Sequence, residues 1–381
     1  MSRNLVTVQK IKSLDPIKDK DRIVYASFEN SGFHVIVGKD DFKAGDFAVY
    51  AEADTLLPDK PEFEFLRKRC WNEKWQGHRI TCMKMAGVFS EGIAFPLKIL
   101  GFEQFNVKEG EDVTDLIGAR KYDPELLEEK AAIQVDEHGW LVTKLLKIPA
   151  FKNWRYPKTS GSWPSYIHKS DETRAQSLMY IFEDQPWKKG TSFYATEKVD
   201  GQSCTYAFLK KGWRNEFVVC SRNNRYVRPA GNNYWDYALK NDVKTKMAKL
   251  RKMTGHDIYV QGELLGPGIQ KNKYEFAELQ FLVYAMYDIT EKQYVEYPRA
   301  KALCLACGFQ WVPELEITPW KWNSIEGLVE YSKAKSVLNP KQDREGVVIR
   351  SLRVLPAERG MTNQLSFKII NPNFQLKEMG S

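Results

Sequence analysis

Four charged side chains, each at the end of or inside an apolar segment, are the residues of this sequence best suited to chemistry. The first is Lys198, which ends the run FYATEK and is followed by the turn-forming Asp200 and Gly201. A lysine amine is a nucleophile when burial or neighbouring cations keep it neutral, and a glycine turn lets the backbone approach a phosphate. Lys-x-Asp-Gly alone favours a surface turn, because chance places it in roughly one chain in ten of this length.

The other three side chains strengthen the case for phosphate chemistry. Glu263 precedes a Gly-Pro-Gly loop, where a carboxylate can accept hydrogen bonds from ribose hydroxyls. Glu345 heads the apolar segment GVVIR, and Mg²⁺ takes carboxylate oxygens, waters and substrate phosphates as ligands. Lys368 lies inside SFKII, where an ammonium group needs an anionic partner. Each residue alone is explained more simply as an edge-strand or outward-facing charge, but the four in this order are not.

The segments between these residues predict the frame that must hold them. Residues 183–381 mix strand-like and helix-like runs without regular βαβ order, which indicates an α+β domain. The strand-like runs are FYATEKVDG, TYAFLKK, FVVCS, IYVQGELLG, LQFLVYAMYDI, EGVVIRS and LSFKIINP. The helix-like runs are NNYWDYALKNDVKTKMAKLRKM and YPRAKALCLACGF. Residues 168–182 also predict a helix, with Ser170 or Asp171 as its N-cap.

The first part of the chain has a different pattern. Residues 1–118 contain short β-branched and aromatic runs separated by turn signals, which predict a small closed β-barrel. These runs are LVTVQKI, RIVYASF, HVIVG and FAVYAEA. Residues 119–165 hold an acidic stretch followed by a Pro- and Ser-containing stretch, and we interpret them as a connector. The predicted domains are therefore 1–118 and 166–381.

Composition limits the classes of protein to which the chain can belong. Its 381 residues, net charge of +8, 43% hydrophobic residues and 28% charged residues are ordinary for a globular protein of two or three domains. No apolar run is long enough to span a membrane, and the N-terminus lacks the apolar core of a signal peptide. The six cysteines are too few for a disulfide framework, and Cys304 and Cys307 are interpreted as buried thiols. We expect an intracellular protein, cytoplasmic or nuclear and not secreted.

Aromatic residues bear on the identity of the partner. Trp, Tyr and Phe make up 13% of the chain, and several stand among lysines and arginines, as in FEFLRKRCW (63–71) and FKNWRYPK (151–158). Such mixtures can stack bases and hold phosphates. For any single cluster, packed rings beside solvated cations are the simpler explanation.

Taken in order, the segments that carry chemistry resemble the motifs of the covalent nucleotidyltransferases, which include polynucleotide ligases and mRNA capping enzymes. These segments are KVDG (198–201), SRNNR (221–225), QGELLGPGIQ (261–270), FLVYAMYDI (281–289), EGVVIR (345–350) and SFKII (366–370). Among them, EKVDG and GELLGPGIQKN resemble RNA ligases more than DNA ligases.

Domain order narrows the resemblance. DNA ligases and capping enzymes usually carry an OB domain after the last motif, but only thirteen residues follow Lys368. A β-rich region stands in front instead, and LVTVQKIKSLDPIKDKDRIVYASF, FKAGDFAVYAEADTLLP and KMAGVFSEGIAFPL resemble the N-terminal OB domain of one RNA ligase family. HKSDETRAQSL resembles that family's segment just before the nucleophile. The implied fold is an OB-type β-barrel followed by a ligase-type nucleotidyltransferase domain of antiparallel sheets with flanking helices.

The resemblance also implies a role for each matching residue. Lys198 is the implied nucleophile that attacks the α-phosphate of ATP and forms lysyl–AMP, and Lys368 contacts that phosphate and promotes adenylate transfer. Glu345 positions a metal ion, Mg²⁺ or Mn²⁺. The remaining implied contacts are Glu197 with adenine, Arg222 with phosphate or the acceptor end, Glu263 with ribose, and Tyr284 stacked on adenine, Tyr287 being the weaker candidate for that position.

The last motif departs from the family pattern. Many relatives have Lys-x-Lys there, whereas this chain has Ser366 two positions before Lys368. The group that orients the triphosphate tail is therefore open, and Arg350 and Arg344 are the candidate substitutes.

The sequence as a whole predicts an ATP-dependent RNA ligase that seals breaks between a 3′-hydroxyl and a 5′-phosphate, in RNA or in a nicked duplex that contains RNA. Its expected cofactors are ATP and Mg²⁺ or Mn²⁺, and no stable protein partner or membrane is implied. Because every adenylation motif lies beyond residue 190, we expect the OB domain to support nick sealing more than self-adenylation. The alternatives are a capping-type transferase that uses GTP and a non-catalytic nucleic-acid-binding protein. Covalent labelling with ATP and with GTP distinguishes these three functions.

Overall fold

The computed structural model of the chain describes residues 4–101, 107–123, 160–183, 188–227, 231–353 and 365–379. The segment FKNWRYPK and most of the predicted connector lie outside these residues. Within the described ranges, no helix has the length and apolar character needed to cross a membrane.

The N-terminal part is built almost entirely from short strands. They are β1 (Val6–Pro16), β2 (Ile23–Phe28), β3 (His34–Gly38), β4 (Phe47–Glu52), β5 (Thr55–Leu57), β6 (Trp71–Asn72), β7 (Gly77–Arg79), β8 (Met83–Met85), β9 (Val88–Ser90), β10 (Gly92–Pro96) and β11 (Arg120–Lys121). Helical turns are α1 (Arg67–Cys70), α2 (Thr114–Ile117) and 3-10 helices at Pro61–Leu66 and Leu97–Leu100.

Five of these strands form a sheet that curls into a nearly closed barrel. The strand order is β10-β4-β1-β2-β3, and the two edges meet where the Glu91 N–H donates to the His34 carbonyl at 2.9 Å. Strands β2 and β3 bury every second residue, as the alternation of their sequences predicts. A second sheet of order β11-β5-β7-β6 completes this part. The prediction of an N-terminal OB-type barrel is confirmed.

The C-terminal part combines strands and helices. Its strands are β12 (Ser160–Gly161), β13 (Thr173–Arg174), β14 (Ser192–Lys198), β15 (Gln202–Lys211), β16 (Arg214–Cys220), β17 (Arg225–Tyr226), β18 (Ile258–Leu265), β19 (Gln280–Asp288), β20 (Gln293–Tyr294), β21 (Gln310–Trp311), β22 (Glu314–Pro319), β23 (Gly346–Ser351) and β24 (Ser366–Ile370). Its helices are α3 (Asn233–Lys240), α4 (Val243–Thr254), α5 (Tyr297–Ala306), α6 (Ile325–Ser332) and α7 (Pro372–Met379).

Two mainly antiparallel sheets organise these elements. The larger has the order β12-β17-β16-β15-β18-β19-β20, with β21 also paired to β19, and the smaller has the order β13-β24-β23-β14-β22. Apolar residues of α3, α4 and α5, such as Met247, Leu250 and Cys304, pack against the larger sheet. Leu328 of α6 packs with Phe193 and other core residues of the smaller sheet. The predicted α+β class is confirmed, and Cys304 and its CxxC partner are buried thiols, as predicted.

Two helix predictions need correction. Residues 168–182 do not form one helix: Thr173–Arg174 is the short strand β13, and 3-10 turns follow at Ala175–Ser177 and Met179–Phe182. The cause is tertiary, because β13 pairs in parallel with the distant β24. The single helix predicted for NNYWDYALKNDVKTKMAKLRKM is two helices, since Asp242 adopts the left-handed conformation at φ 50° and ends the first one.

The OB barrel docks on the C-terminal part through a polar seam. The Gly32 N–H donates to the Gln176 carbonyl at 2.8 Å, and Gln176 Nε2 donates to Glu91 Oε1 at 3.1 Å. Arg174, only 4% exposed, approaches the same Glu91 oxygen at 3.7 Å. Gly32 is required by close packing, because a methyl group there would lie 2.6 Å from Ile325. The segment before β14 is thereby fixed against the barrel.

Candidate active site

A cavity of about 300 Å³ lies where the two C-terminal sheets face the OB domain. All seven residues that the sequence assigned to the site line it. They are Glu197, Lys198, Arg222, Glu263, Tyr284, Glu345 and Lys368. The two sheets and the loop after β16 bring these residues together from positions spread over most of the C-terminal part.

Lys198 and Glu345 form the centre of the cavity. Lys198 is the last residue of β14 and pairs in register with Gly346, the first residue of β23. A methyl group at Gly346 would lie 2.1 Å from the Ile369 carbonyl oxygen, so only glycine lets β23 start this close to β24. Glu345 then stands beside the end of β14, where Lys198 Nζ donates to Glu345 Oε1 at 2.6 Å.

The charges around Lys198 stabilise its protonated form. Burial disfavours the ammonium group, but Glu345 and Glu263 outweigh burial and raise the pKa of Lys198 above its ordinary value. Lys198 is therefore a cation in an ion pair. The neutral amine that the sequence predicts requires added positive charge near Glu345.

Lys368 reaches the cavity through strand register. Across the smaller sheet, Thr196 pairs with Val348 and Val348 with Lys368. Side chains in one such row project from the same face of a sheet, and all three residues line the cavity. Thr196 and Lys198 are two positions apart on β14, so Lys198 and Lys368 project from one face.

Glu263 lies on the opposite side of the cavity, on the larger sheet. It pairs with Ser203 of β15, and a register shift between Gln261 and Gly262 precedes it. A methyl group at Gly262 would lie 2.3 Å from the Leu282 carbonyl oxygen, so glycine allows the close pairing of β18 and β19 here. Burial raises the pKa of Glu263 to about 8, against the lowering effect of Lys198.

The two tyrosines considered for adenine stacking lie in different places, and only one of them is at the cavity. Tyr284 lines the cavity, and the guanidinium of Arg350 lies 5.3 Å from its ring centre. Tyr287 stacks on Tyr259 with ring centres 4.9 Å apart, in a different apolar cluster. The structure therefore favours Tyr284, the preferred candidate of the sequence.

Glu197 is placed differently from its neighbour Lys198. Alternation along β14 turns its side chain to the opposite face, on which Ala195 joins the core. Its Oε2 accepts a hydrogen bond from the Val337 N–H at 2.7 Å, so the carboxylate holds the loop before β23. Residue 197 still borders the cavity, and its contact with adenine stays a prediction.

Arg222 is held by acidic residues at the mouth of the cavity. Its Nη2 donates to Asp171, and its Nε lies 3.9 Å from Asp123 Oδ2. Lys121, from the edge of the OB domain, also donates to Asp171, at 2.9 Å. These two carboxylates contact the Arg222 guanidinium, and a phosphate that binds Arg222 would take their place.

The structure distinguishes the two candidate substitutes for the missing lysine. Arg344 is directed away from the cavity, since its guanidinium donates to the carbonyls of Ser332 and Tyr331. Arg350 lines the cavity and pairs in register with Ser366, where relatives have the lysine. Its Nη2 donates to Glu172 at 2.7 Å, and its buried Nη1 has no hydrogen-bond partner among the described residues. Arg350 is therefore the better placed of the two.

Sequence reasoning missed one wall of the cavity. Arg79 and Asp54 of the OB domain line it, together with Lys121 and Tyr122. The last two were assigned to the connector, but strand β11 pairs with β5 and so belongs to the OB domain. Arg79, Lys121 and Tyr122 come from β7, β11 and the residue after β11, and no local pattern links them to Lys198. The aromatic and basic clusters named from the sequence, at 63–71 and 151–158, do not contain them.

The residues present fit a divalent cation held mainly by non-protein ligands. Glu345 Oε2 is buried and lacks a hydrogen-bond partner within the described part of the chain. The described residues contain no group of three His, Cys, Asp or Glu side chains that could hold a metal ion. One carboxylate completed by waters and phosphate oxygens is the arrangement that Mg²⁺ favours at nucleotide sites.

Known protein families match both parts of the chain. Residues 191–370 match the family model described as RNA ligase. Residues 5–97 match an OB-fold domain model. No curated protein matches the chain.

Solved structures match its full length. The chain is similar to the Naegleria gruberi RNA ligase with PPi, at 24% identity and a TM-score of 0.78 over 100% of both chains. A variant of that enzyme with AMP and Mn gives 24% identity and a TM-score of 0.78, over 98% of this chain and 99% of that one. Another variant, with ATP and Mn, gives 24% identity and a TM-score of 0.77 over 98% of each chain. These likenesses extend over both domains in the same order.

Proposed function

We propose that this protein, which carries an RNA ligase domain behind an OB-fold domain, is an ATP-dependent RNA ligase that joins a 3′-hydroxyl to a 5′-phosphate. The observation that carries the proposal is the contact of Lys198 Nζ with Glu345 Oε1 at 2.6 Å, in a cavity that also contains Lys368 and Glu263. A lysine nucleophile among charged groups serves nucleotidyl transfer, which depends on positioning and charge neutralisation.

The first step is covalent adenylation of the enzyme. The Lys198 amine attacks the α-phosphorus of ATP, an N–P bond forms, the bond to the β-phosphate oxygen breaks, and pyrophosphate leaves. The amine must lose a proton, and Glu345 Oε1 is an acceptor within hydrogen-bond distance. Lys368 supplies positive charge to the α-phosphate oxygens. A divalent cation, Mg²⁺ or Mn²⁺, when bound at Glu345 supplies further positive charge, which favours the neutral amine and stabilises the phosphate oxygens.

Two further steps complete the reaction. A 5′-phosphate oxygen of the RNA attacks the adenylate phosphorus, a P–O–P bond forms, and the N–P bond to Lys198 breaks, which returns the lysine to its free amine. The 3′-hydroxyl of the other RNA end then attacks the activated 5′-phosphorus and releases its proton to solvent. A phosphodiester bond forms, and AMP leaves with the electron pair of the broken P–O bond. Lys368 and Arg222, both at the cavity, are the proposed groups that neutralise these phosphates.

We assign the nucleotide contacts to the larger sheet. Glu263 accepts from the ribose hydroxyls and Tyr284 stacks on adenine, since both line the cavity across from Lys198. Their positions support these roles, and the backbone of residue 197 is the proposed adenine contact on the other sheet. Arg350, which lines the cavity and has a buried Nη1 without a hydrogen-bond partner among the described residues, is the proposed ligand of the triphosphate tail.

The proposed substrate is a break within a duplex that contains RNA. The cavity opens between two protein parts, so a nucleic acid lying across its mouth meets the OB domain on one side and Arg222 on the other. Lys121 and Arg222, which both pair with Asp171, are cations that lie there. We also propose that the protein works in the reducing interior of the cell, which its six free cysteines support.

Intact mass after incubation with a nucleotide and Mg²⁺ tests the covalent step. The wild-type protein is expected to gain one AMP from ATP and nothing from GTP, and Lys198→Ala is expected to gain nothing. Lys210→Ala, an exposed lysine on β15, is the matched control and should behave as wild type. The starting mass shows whether the protein was purified already adenylated.

Other outcomes would support a different function. A gain of GMP from GTP would identify a capping-type transferase. RNA binding without any covalent nucleotide would identify a non-catalytic binding protein. If adenylation occurs, sealing rates with nicked RNA duplex, nicked RNA–DNA hybrid and single-stranded RNA determine the substrate.

A further inference from the structure

Two neighbouring aromatic rings, flanked by two guanidinium groups, lie along one edge of the OB domain. The Arg120 guanidinium lies 5.8 Å from the centre of the Trp75 ring, and the Trp75 and Tyr122 rings are 5.5 Å apart. The Arg79 guanidinium lies 3.9 Å from the centre of the Tyr122 ring. We call these four residues the aromatic–arginine strip.

The second sheet of the OB domain assembles the strip from distant segments. Arg79 of β7 and Arg120 of β11 both pair in register with Leu56 of β5. Trp75 lies in the turn between β6 and β7, and Tyr122 directly follows β11. The strip is therefore a product of strand pairing and not of a local sequence motif.

One end of the strip is part of the catalytic cavity. Arg79 and Tyr122 line the cavity beside Lys121, whereas Trp75 and Arg120 lie outside it. Arg120 is exposed, and the other three residues are partly exposed. The strip thus leads from solvent to the chamber that contains Lys198.

The chemistry of the strip suits a nucleic-acid strand. Aromatic rings stack on bases of any sequence, and arginine binds phosphates and also stacks on planar groups. Unpaired or terminal bases in RNA are commonly recognised in this way. Considering only partners among the described residues, Arg79 is the one member of the strip that pairs closely with a carboxylate, that of Asp54 at 2.8 Å.

We propose that the aromatic–arginine strip binds the RNA strand whose end enters the catalytic cavity, with Trp75 stacking on a base near the break and Arg120 contacting its backbone. This inference rests on the proposed function, because it assumes that the substrate is RNA. It adds to that function a binding surface on the OB domain and the residues that form it.

The competing explanation is that these contacts only stabilise the fold of the OB domain. Arg120 Nη2 donates to the Trp75 carbonyl, which tightens the β6–β7 turn. Elsewhere on the surface, Arg214 lies 4.0 Å from the centre of the Trp213 ring in the β15–β16 turn, where Trp213 is 84% exposed. That pair is at the far end of β15, roughly 30 Å along the strand from the cavity. It provides a matched control.

The test compares Trp75→Ala and Arg120→Ala with Trp213→Ala in the full chain. The measurements are the dissociation constant for a nicked RNA duplex, the sealing rate with that duplex, and the rate of self-adenylation with ATP. For Trp75→Ala we expect about a tenfold loss of RNA affinity, as for one base–aromatic stack, with self-adenylation changed less than twofold. For Arg120→Ala we expect weaker binding and a shallower dependence of affinity on salt. Trp213→Ala should match the wild type in all measurements.

The conservative variant Trp75→Phe separates stacking from folding. It keeps a ring and should retain most of the RNA affinity that Trp75→Ala loses. The proposal is overturned if Trp75→Ala and Arg120→Ala bind and seal RNA as the wild type does. It is also overturned if Trp75→Phe loses as much RNA affinity as Trp75→Ala, or if self-adenylation falls as much as RNA affinity. Both results would indicate that the strip only stabilises the fold. Absence of AMP on the wild-type protein would instead reject the ligase function itself.

Discussion

The two walls of the catalytic cavity differ in how they hold charge. On the wall formed by the C-terminal sheets, Lys198 is paired with a carboxylate at 2.6 Å, and Lys368 projects from the same sheet face. On the wall formed by the OB domain, Arg79 pairs with Asp54 at 2.8 Å, but its guanidinium also lies against the Tyr122 ring. Close ion pairs of buried groups tune proton affinity and nucleophilicity, whereas cations against rings offer planar surfaces and positive charge.

This difference indicates a division of work within one cavity. The first wall carries the groups needed to break and form bonds at phosphorus, and strand register fixes their positions. The second wall carries groups that recognise a polymer, and they extend out of the cavity to solvent. Substitutions on the first wall should therefore alter chemistry, and those on the second should alter RNA binding.

The largest expected effect is on the first wall. Lys198→Ala should abolish sealing driven by ATP, because it removes the amine proposed to form the lysyl–AMP. It should still seal RNA whose 5′ end has been adenylylated chemically, since the last step needs no lysyl–AMP. Gel analysis of both substrates checks this. Equal loss with both substrates would mean that the variant has lost the cavity and not only the nucleophile.

A second substitution on this wall should lower the rate of self-adenylation. Lys368→Ala should slow self-adenylation by about 10²–10³-fold, the range found when one preorganised donor to a developing charge is removed. Single-turnover formation of enzyme–AMP measures it, with Lys210→Ala as the control. A change of less than threefold would remove Lys368 from the proposed α-phosphate contact.

Substitution of Arg350 tests whether this arginine binds the triphosphate tail in place of the first lysine of the last motif. Arg350→Ala should raise the ATP concentration needed for half-maximal adenylation by about tenfold, as the loss of one charge-assisted hydrogen bond implies. Adding Ser366→Lys should restore part of the loss, because residue 366 pairs in register with Arg350.

Glu172→Gln is the matched control for Arg350. It removes the 2.7 Å ion pair and leaves the guanidinium in place, so it should keep near wild-type ATP dependence. If Glu172→Gln and Arg350→Ala have the same effect, Arg350 serves only that ion pair.

The last expected effect is on stability and not on activity, and it concerns the seam between the two protein parts. Burial raises the pKa of Glu91 from 4.5 to about 7, although Arg174 opposes the shift. The folded protein therefore binds a proton at Glu91 that the unfolded chain has lost, and the free energy of unfolding falls as pH rises from about 4.5 to about 7. Glu91→Gln has no such proton, so its stability relative to wild type should rise over this range, by up to about 3 kcal/mol. Thermal unfolding at several pH values measures it, and a pH-independent difference would contradict it.

The same seam explains why point variants are preferable to deletion of the OB domain. Arg174 is 4% exposed and faces Glu91 of the barrel, and it lines the catalytic cavity as well. A chain starting near residue 119 would leave this charge without its partner. Loss of activity in such a truncation would mix folding with RNA binding.

Local sequence predicted much of this arrangement. The alternating runs of the barrel became β2 and β3, and Lys198 ends a strand where the run FYATEKVDG predicted one. The order of the charged segments predicted which side chains meet, and each of them lines one cavity. Such features follow from side-chain periodicity, turn residues and apolar context, which are local properties.

Tertiary structure decided the rest. Residues 168–182 carry the local signals of a helix, yet Thr173–Arg174 pairs with β24, because the gain from strand pairing exceeds the local preference. Glu197 and Lys198 are adjacent in sequence but face opposite sides of β14, and only the packing of the sheets determines which side is the cavity. The OB wall depends on Arg79 and Tyr122 meeting through strand pairing. The sequence by itself determined the chemical groups and their order, whereas register and domain docking determined which of them share a cavity, since these depend on contacts between residues far apart in the chain.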